Sequence, residues 1–424
     1  MVKIILLVLF YFTFPLVIIY MCNRWSIFKK LGAIVLAYAF GLLIGTSGIL
    51  PRGSEGYKMA LQGKMSIPKA RLEELVKEGK ATNEDIFTNQ IAQAQENVVS
   101  AVIPLAFPLL LFSLNIKKWL KYAGRGFLSV ALAIIAGPIM VTIGYFIFKD
   151  LIPESWRLAG MFVGIYTGGT PNFVALKMAL DVDPNLFVVA NTYDIFVGAF
   201  LVLFFITIAP KIFRFILPPF KSAKDETKLE VDISEITEDM DDFRGIFRKG
   251  RFLPLLGALG ISILIAGVSA AIGFQFNEKF QMAAIILLIT TLAILASLIK
   301  RLNRIEKTFQ LGMYLIVVFS LTAATQSDLA TVFSLRMMNL VLFITWCYFG
   351  SMLLHLLLAY IFRVDADNFL ITSAAYIFSP PFVPLVAGAL KNKNLIITGI
   401  TGGVIGYLLG NYIGVGLAWL LKGF

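Results

Sequence analysis

One apolar run of this sequence contains the stretch Gly164-Ile-Tyr-Thr-Gly-Gly-Thr-Pro-Asn-Phe-Val-Ala175. We expect the helix to break there, because Pro171 removes a backbone donor and Gly168 and Gly169 allow dihedral angles that other residues avoid. The ends of a broken helix offer N–H groups to an anion and carbonyl groups to a cation. The polar side chains at the same point belong to Thr167, Thr170 and Asn172. The stretch therefore predicts a binding site, and the alternative is a kink that serves only helix packing.

The composition of the whole chain is that of a membrane protein. Of its 424 residues, 58% are hydrophobic and 15% are charged, whereas soluble domains have about 45–50% apolar and about 25% charged residues. These values exclude a soluble enzyme, a disordered chain and a fibrous repeat. The net charge of +11 comes from short loops between apolar runs, as in proteins whose cytoplasmic loops collect Lys and Arg. We therefore expect the lipid bilayer, and not a nucleic acid, as the partner of the chain.

The apolar runs have the length of membrane-spanning helices, which need about 20 residues to cross the bilayer core. They lie at 3–22, 31–50, 96–114, 126–148, 158–180, 185–209, 252–273, 280–299, 308–326, 340–361, 369–390 and 395–420. The segment 51–94 is charged and should form a hydrophilic extracytoplasmic insertion with a short helix over 70–77. A charged cytoplasmic linker, 211–250, then separates an N-terminal membrane repeat, 1–210, from a C-terminal membrane repeat, 251–424.

Short matches between the two halves indicate an internal duplication. Phe112-Ser113-Leu114 recurs as Phe319-Ser320-Leu321, and Thr170-Pro171-Asn172 has its counterpart in Ser379-Pro380-Pro381. The two matches occur in the same order in both halves. Because helix breakers recur at corresponding positions of hydrophobic segments, the pattern is typical of a secondary transporter.

Loop charges constrain how often the chain crosses the membrane. The loops 23–30, 115–125 and 300–307 are rich in Lys and Arg and should all be cytoplasmic. Six full crossings in the first half would place the loop 300–307 outside the cell. One element must therefore enter the membrane and return to the same side. The best candidate is 158–180, with 369–390 as its counterpart. We therefore expect an all-α polytopic protein with two inverted repeats, about ten full spans, two broken or re-entrant helices and both termini outside. The alternative is twelve full spans.

Asp194 is the second candidate for a functional residue. It lies inside an apolar run, where a carboxylate costs about 2.5–3.5 kcal/mol and usually serves an ion or proton pathway. The alternative is an interfacial Asp paired with Lys177. The corresponding region of the second half has no ionisable residue, so a coupling cation, Na⁺ or H⁺, is expected near Asp194 alone. The predicted substrate- or ion-binding residues are Thr167, Gly168, Gly169, Thr170, Pro171, Asn172, Asn191, Asp194, Ser379, Pro380 and Thr401.

Sequence signatures of enzymes are absent. The chain contains no Gly-x-Ser-x-Gly elbow, no His-Glu-x-x-His, no Walker A motif and no Cys-x-x-Cys. The single histidine, His355, lies in an apolar run and is expected to be structural. We therefore expect no enzyme activity, no transition-metal site and no bound cofactor.

The stretch 164–175 followed by Asp194 resembles the bacterial membrane family labelled domain of unknown function 819, as do Leu31–Pro51 and Ile103–Leu120. The resemblance covers almost the whole chain and implies a multi-pass protein of the bacterial inner membrane. That family is similar to the clan of cation/proton antiporters and anion transporters, which includes bile-acid and glutamate–sodium symporters. Such proteins have inverted repeats, broken helices that cross, and a core that slides against a panel. The resemblance implies that 167–172 and 379–381 form the crossing, with Asp194 near the coupling-ion site.

These observations predict a secondary active transporter, such as a symporter, that carries a small organic anion with Na⁺ or H⁺ by elevator-like alternating access. The small-molecule solute is not identified by the sequence, and a homodimer is left open. Two other classes stay open as alternatives. One is a ligand-binding membrane receptor or scaffold without transport, and the other is a membrane enzyme that acts on a lipid.

Overall fold

The computed structural model describes most of the chain. The described residues are 2–25, 28, 31–61, 66–113, 126–220, 243, 245–246, 250–326, 337–378, 380–392 and 395–424. The predicted cytoplasmic loop 115–125, most of the linker 211–250 and Ser379 lie outside them.

The described residues form helices joined by turns and short loops, as the composition predicts. The helices are α1 (Val2–Arg24), α2 (Ala33–Thr46), α3 (Glu55–Leu61), α4 (Lys69–Lys77), α5 (Asn83–Phe112), α6 (Gly126–Phe148), α7 (Ser155–Ala179), α8 (Pro184–Thr207), α9 (Ala209–Ile216), α10 (Phe252–Gly273), α11 (Glu278–Ser297), α12 (Lys300–Asn303), α13 (Thr308–Ala324), α14 (Met338–Ile361), α15 (Ala366–Phe378), α16 (Val383–Leu390) and α17 (Ile396–Leu421). A 3₁₀ turn, Pro380–Phe382, joins α15 to α16.

Eight of the described helices are long and apolar enough to cross a membrane. They are α1, α5, α6, α8, α10, α11, α14 and α17. Two shorter apolar helices, α2 and α13, accompany them. The prediction of an all-helical, multi-pass membrane protein is therefore confirmed.

The hydrophilic insertion contains the short helix that the sequence predicts, since α4 starts after Pro68 and ends before Gly79. One boundary was missed, because α5 begins at Asn83 and not near residue 96. The physical reason is one half of a capping box at its start: the Asp85 carboxylate accepts hydrogen bonds from the backbone N–H of Thr82 and from its hydroxyl. The Thr-x-x-Asp sequence that forms this box precedes the apolar run and is therefore a signal that hydropathy alone does not use.

The chain forms two compact units, and each of them combines segments from both halves of the sequence. Unit 1 consists of residues 1–106, 182–192 and 312–337. Its membrane core joins α1, α2 and α13 around Tyr11 and Leu321. The Tyr11 hydroxyl, Thr325 and the Gln95 amide are mutually hydrogen bonded, with 2.7–3.0 Å between their polar atoms. Thr325 therefore belongs to a buried polar contact between helices.

Unit 2 consists of residues 107–181, 193–311 and 338–424. It contains both predicted helix breaks, Asp194 and the last helix, α17. The division of the sequence into repeats 1–210 and 251–424 is a different one and stays a prediction.

Candidate functional site

The first predicted break folds α7 back on itself. Gly169 has φ 68° and ψ −163°, a backbone conformation that is essentially restricted to glycine. The rings of Phe162 and Phe173, on either side of the break, lie 5.4 Å apart. The Arg157 guanidinium donates a 2.8 Å hydrogen bond to the carbonyl of Asp181. Residues 155–181, which we call hairpin 1, therefore begin and end at the same place, which we call the base of hairpin 1.

The second predicted break also reverses the chain. The rings of Phe378 and Phe382 lie 5.8 Å apart across the turn. At the far ends of the two arms, the Asn392 amide donates a 3.1 Å hydrogen bond to the carboxylate of Asp367. Residues 366–392, which we call hairpin 2, therefore also begin and end at one base. The resemblance implied broken helices that cross, but both elements turn back at their breaks.

The base of hairpin 2 is held by an ion pair from outside the hairpin. Arg214 of α9 donates two hydrogen bonds, of 2.9 and 3.1 Å, to the Asp367 carboxylate. The same guanidinium donates a 3.0 Å hydrogen bond to the carbonyl of Leu390 in the second arm. Only 4% of the Asp367 surface is exposed. Arg214 thus ties both arms of hairpin 2 together.

The two hairpins enter from opposite ends of α17. Near the base of hairpin 1, a Cβ atom placed on Gly160 would lie 2.6 Å from the Cβ of Ala418, close to the end of α17. In hairpin 2, a Cβ atom on Gly399, close to the start of α17, would lie 2.9 Å from Ile371 in the first half of α15, the half nearer the base. The two bases are therefore separated by most of the length of α17.

The tips of the hairpins meet near the middle of α17. A Cβ atom on Gly406 would lie 1.6 Å from the Thr167 carbonyl oxygen, and one on Gly403 would lie 2.4 Å from Pro380. The Asn172 amide donates hydrogen bonds of 3.2 and 3.4 Å to the carbonyls of Gly406 and Tyr407. Gly403 and Gly406 are one helical turn apart, about 10 and 15 Å from the start of the helix at Ile396. The two breaks, which are 209 residues apart in the sequence, thus lie against neighbouring turns of α17.

Glycine residues of α17 allow the hairpin tips to approach this helix closely. Gly402, Gly406, Gly410 and Gly414 repeat at every fourth position of α17. Such spacing lets backbones approach closely within membranes. Thr401 on this helix was predicted from the sequence as a binding residue, but the longer glycine pattern, which was the available signal for the partner of the first break, was missed.

Among the buried polar atoms near the tips that have no hydrogen-bond partner in the described residues, two belong to side chains that lie against α17. They are the Asn172 carbonyl oxygen Oδ1 and the Tyr376 hydroxyl, and both side chains are completely buried. The ring of Tyr376 lies against Gly406, where a Cβ atom would be 3.1 Å away. Because unsatisfied buried polar atoms cost free energy, these two mark the tips as a place where a ligand could supply the missing partner.

Asp194 lies on α8 and is partly buried. Its carboxylate accepts a hydrogen bond from the Tyr348 hydroxyl of α14. The Tyr348 ring lies 6.2 Å from that of Tyr166, which immediately precedes Thr167 at the tip of hairpin 1. The side chains of Tyr348 and Tyr166 therefore connect Asp194 to this tip.

The remaining candidates from the sequence are Asn191, Thr401 and Thr170, and His355 was expected to be structural. Asn191 is buried in unit 1, and its amide nitrogen has no partner among the described residues. Thr401 is buried on α17, and Thr170 is half-buried beside Gly169. His355 is completely buried and its ring nitrogens lie 2.9 Å from the Ser373 hydroxyl and 3.3 Å from the Ser129 hydroxyl. The imidazole thus belongs to a buried polar contact between α6, α14 and hairpin 2.

Comparison with known proteins agrees with the predicted resemblance. A family described as "Protein of unknown function (DUF819)" matches residues 66–424. The chain is also similar to "Uncharacterized membrane protein YjcL" of Bacillus subtilis (strain 168), with 26% identity over 332 residues. That match covers 75% of this chain and 81% of the relative.

Proposed function

The chain belongs to the DUF819 family, and we propose that it is a secondary active transporter of the bacterial inner membrane. It carries a small organic anion together with Na⁺ or H⁺ by alternating access. The observation that carries the proposal is the meeting of two hairpin tips, which enter from opposite ends of α17, near its middle. Interrupted backbone at membrane depth is tolerated only where protein or a water-filled cavity surrounds it, and transporters use it to bind solutes.

The hairpins also support the inverted topology. If both hairpins return to the side from which they enter, ten helices cross, namely the eight long ones with α2 and α13. The basic segments 23–30, 115–125 and 300–307 then share one side, as the charge rule requires. Each half has the same order of four helices, a hairpin and a final helix, which supports two inverted repeats. Twelve full crossings would separate the ends of each hairpin, which hydrogen bonds hold together.

The tips offer suitable chemistry for an organic anion. The second arm of hairpin 1 and helix α16 both start at a tip, and helix N-termini favour negative charge. The Asn172 oxygen and the Tyr376 hydroxyl can bind polar groups of the solute. Asp194 supplies the negative charge that a coupling cation needs, since a carboxylate within a membrane span requires a counter-charge.

The division into two compact units suits an elevator-like mechanism. Unit 2 contains both hairpins and Asp194, so a solute bound at the tips would travel with one compact body. This proposal follows the resemblance to the antiporter and anion-transporter clan, whose members move a core against a panel.

The test is ligand-dependent thermal stability of the purified protein in detergent, followed by uptake into proteoliposomes. We would screen small mono-, di- and tricarboxylates with Na⁺, K⁺ and pH varied, because a ligand at a hundredfold excess over Kd stabilises by about 2.7 kcal/mol. We expect a carboxylate to shift the Tm and to be taken up in a cation-dependent way that Asp194→Asn abolishes and Asp150→Asn preserves. Binding without flux would instead identify a receptor or scaffold. Ion-dependent uptake by Asp194→Asn would refute the coupling role.

A further inference from the structure

The surroundings of Asp194 are aromatic. In the part of the chain that the structure describes, its hydrogen-bond partner is the Tyr348 hydroxyl. The titratable groups next to Tyr348 on the packed elements are Tyr166 of hairpin 1 and Cys347 of α14, and Tyr193 precedes Asp194 on its own helix. Tyr166, Tyr348 and Cys347 are almost completely buried. No cationic side chain is among these groups, so the carboxylate needs a cation from elsewhere.

This environment suits a proton better than a metal cation. A hard cation exchanges its water shell for several oxygen ligands, typically carboxylates and carbonyls. The groups that the structure places next to Tyr348, the hydrogen-bond partner of Asp194, are phenol rings and a thiol, and the Tyr348 hydroxyl directs its hydrogen at the carboxylate. A proton, by contrast, needs only one carboxylate oxygen.

Tyr348 connects Asp194 to the solute site. Its hydroxyl donates to the carboxylate, and its ring contacts Tyr166, the residue before Thr167. A hydrogen bond to an ionised carboxylate is roughly twice as strong as one to a neutral acceptor. Protonation of Asp194 therefore weakens the contact that holds Tyr348, and the ring of Tyr348 adjoins the first arm of hairpin 1.

Building on the proposed transport function, we infer that the coupling cation is H⁺, carried by Asp194, and that Tyr348 is a positioning residue that conveys the charge of Asp194 to hairpin 1. One O–H bond forms on Asp194 when a proton arrives from water on one face of the membrane. The same bond breaks when the proton leaves to water on the other face. Of Na⁺ and H⁺, the two coupling cations expected near Asp194, H⁺ is the one that these surroundings favour.

The experiment measures the Tm of the full-length protein in detergent between about pH 5 and about pH 8, without any carboxylate solute, in Na⁺ or in choline. We expect the wild-type Tm to fall by several degrees relative to Asp194→Asn as the pH rises. The native state then holds a proton that the unfolded state releases, and stability falls with pH wherever the native state binds more protons. Exchanging Na⁺ for choline should leave both curves unchanged.

Two control variants separate Asp194 from other titrating groups. His355→Gln removes the one histidine of the chain and should retain the Asp194-dependent fall, as should Asp150→Asn at the exposed end of α6. Tyr348→Phe should move the midpoint of the fall to higher pH, because the carboxylate loses its donor. A purely structural role for Tyr348 would lower the Tm equally at every pH.

The outcomes distinguish this inference from the transport function on which it builds. Stabilisation by Na⁺ that Asp194→Asn abolishes, or identical pH profiles for wild type and Asp194→Asn, would overturn proton coupling and leave transport intact. If Asp194→Asn does not fold, infrared difference spectra of the wild type and of Tyr348→Phe decide whether Asp194 takes up a proton. A protonated-carboxyl band that titrates in this range and shifts in Tyr348→Phe supports the inference, and its absence overturns it. A proton-dependent Tm without solute flux would instead refute transport.

Discussion

The two hairpins have similar outlines but are held in different ways. Hairpin 1 closes its base with a hydrogen bond of its own, from Arg157 to Asp181, and its tip binds α17 through Asn172. Hairpin 2 also has a hydrogen bond of its own at its base, but its arms are in addition tied by Arg214 of α9, and Pro380 contacts α17 through apolar atoms at its tip. The first hairpin is therefore fixed at its polar tip, whereas the second depends on a neighbouring helix.

This difference suggests a division of labour. A tip with polar side chains that is hydrogen bonded to a spanning helix is suited to recognise a solute. A hairpin whose arms are tied by a half-exposed guanidinium at the start of the predicted linker 211–250 is suited to open and close. The predictions below test this contrast.

The largest effect is expected where hairpin 1 meets α17. Gly406→Ala places a Cβ atom within 1.6 Å of the Thr167 carbonyl oxygen, so the tip must move, at a cost of about 3 kcal/mol. Thermal unfolding in detergent would show a clearly lower Tm. The matched control is Gly416→Ala on the same helix, where a Cβ atom meets nothing within 4 Å. Equal Tm values for the two variants would contradict the close approach.

The base of hairpin 2 should be the next most sensitive position. Arg214→Gln leaves the buried Asp367 without its cation, which should cost about 2 kcal/mol, less than for a fully buried pair because Arg214 is half exposed. Lys211→Gln, on the same helix, should have little effect. The double variant Arg214→Gln/Asp367→Asn should regain part of the loss, and an additive loss would show that the ion pair does not hold the arms.

The reversal in hairpin 1 should depend on glycine at position 169. Gly169→Ala forces a side chain into φ 68° and ψ −163°, which costs about 1–2 kcal/mol. Gly198→Ala in α8, where a Cβ atom has open space, should be neutral or slightly stabilising. If Gly169→Ala is also neutral in thermal unfolding, the chain does not turn at Gly169 as described.

The smallest effect on stability, with the clearest effect on binding, is expected at Asn172. Asn172→Ala removes the hydrogen bonds to α17 and should cost about 1 kcal/mol. It should also abolish any carboxylate-dependent rise in Tm. Asn303→Ala is the matched control, because the Asn303 amide also donates to a helix-end carbonyl, that of Phe112, at 2.8 Å. The control should lose similar stability and keep solute binding, and a control that also lost binding would remove Asn172 from the site.

The sequence predicts the features of this fold that depend on local chemistry. Gly168, Gly169 and Pro171 are adjacent breakers, so the position of the first break follows from backbone restrictions alone. The length and polarity of the spans follow from the bilayer in the same way. The direction of the chain after the break depends on contacts between residues more than twenty positions apart, such as Arg157 and Asp181, and loop charge was the only indirect signal for it.

Long-range contacts were beyond sequence reasoning. Asp194 was recognised by its charge, but its partner Tyr348 is 154 residues away and has no distinguishing pattern. The match between the two Phe-Ser-Leu tripeptides was a weaker sign of duplication than the order of the helices in each half. Phe112 ends α5, whereas Phe319 lies inside α13. The match at the helix breaks has a structural counterpart, since both breaks form hairpin turns.

The membrane side on which each hairpin base lies tests most directly whether both hairpins return to the side from which they enter. Single cysteines would replace Asp150 and Asp181, which flank hairpin 1, and Arg363 and Lys391, which flank hairpin 2, in a background without Cys22 and Cys347. A membrane-impermeant thiol reagent would then be applied to either side of oriented membranes. We expect labelling of the first pair only from outside and of the second pair only from inside. Labelling of the two members of either pair from opposite sides would contradict it.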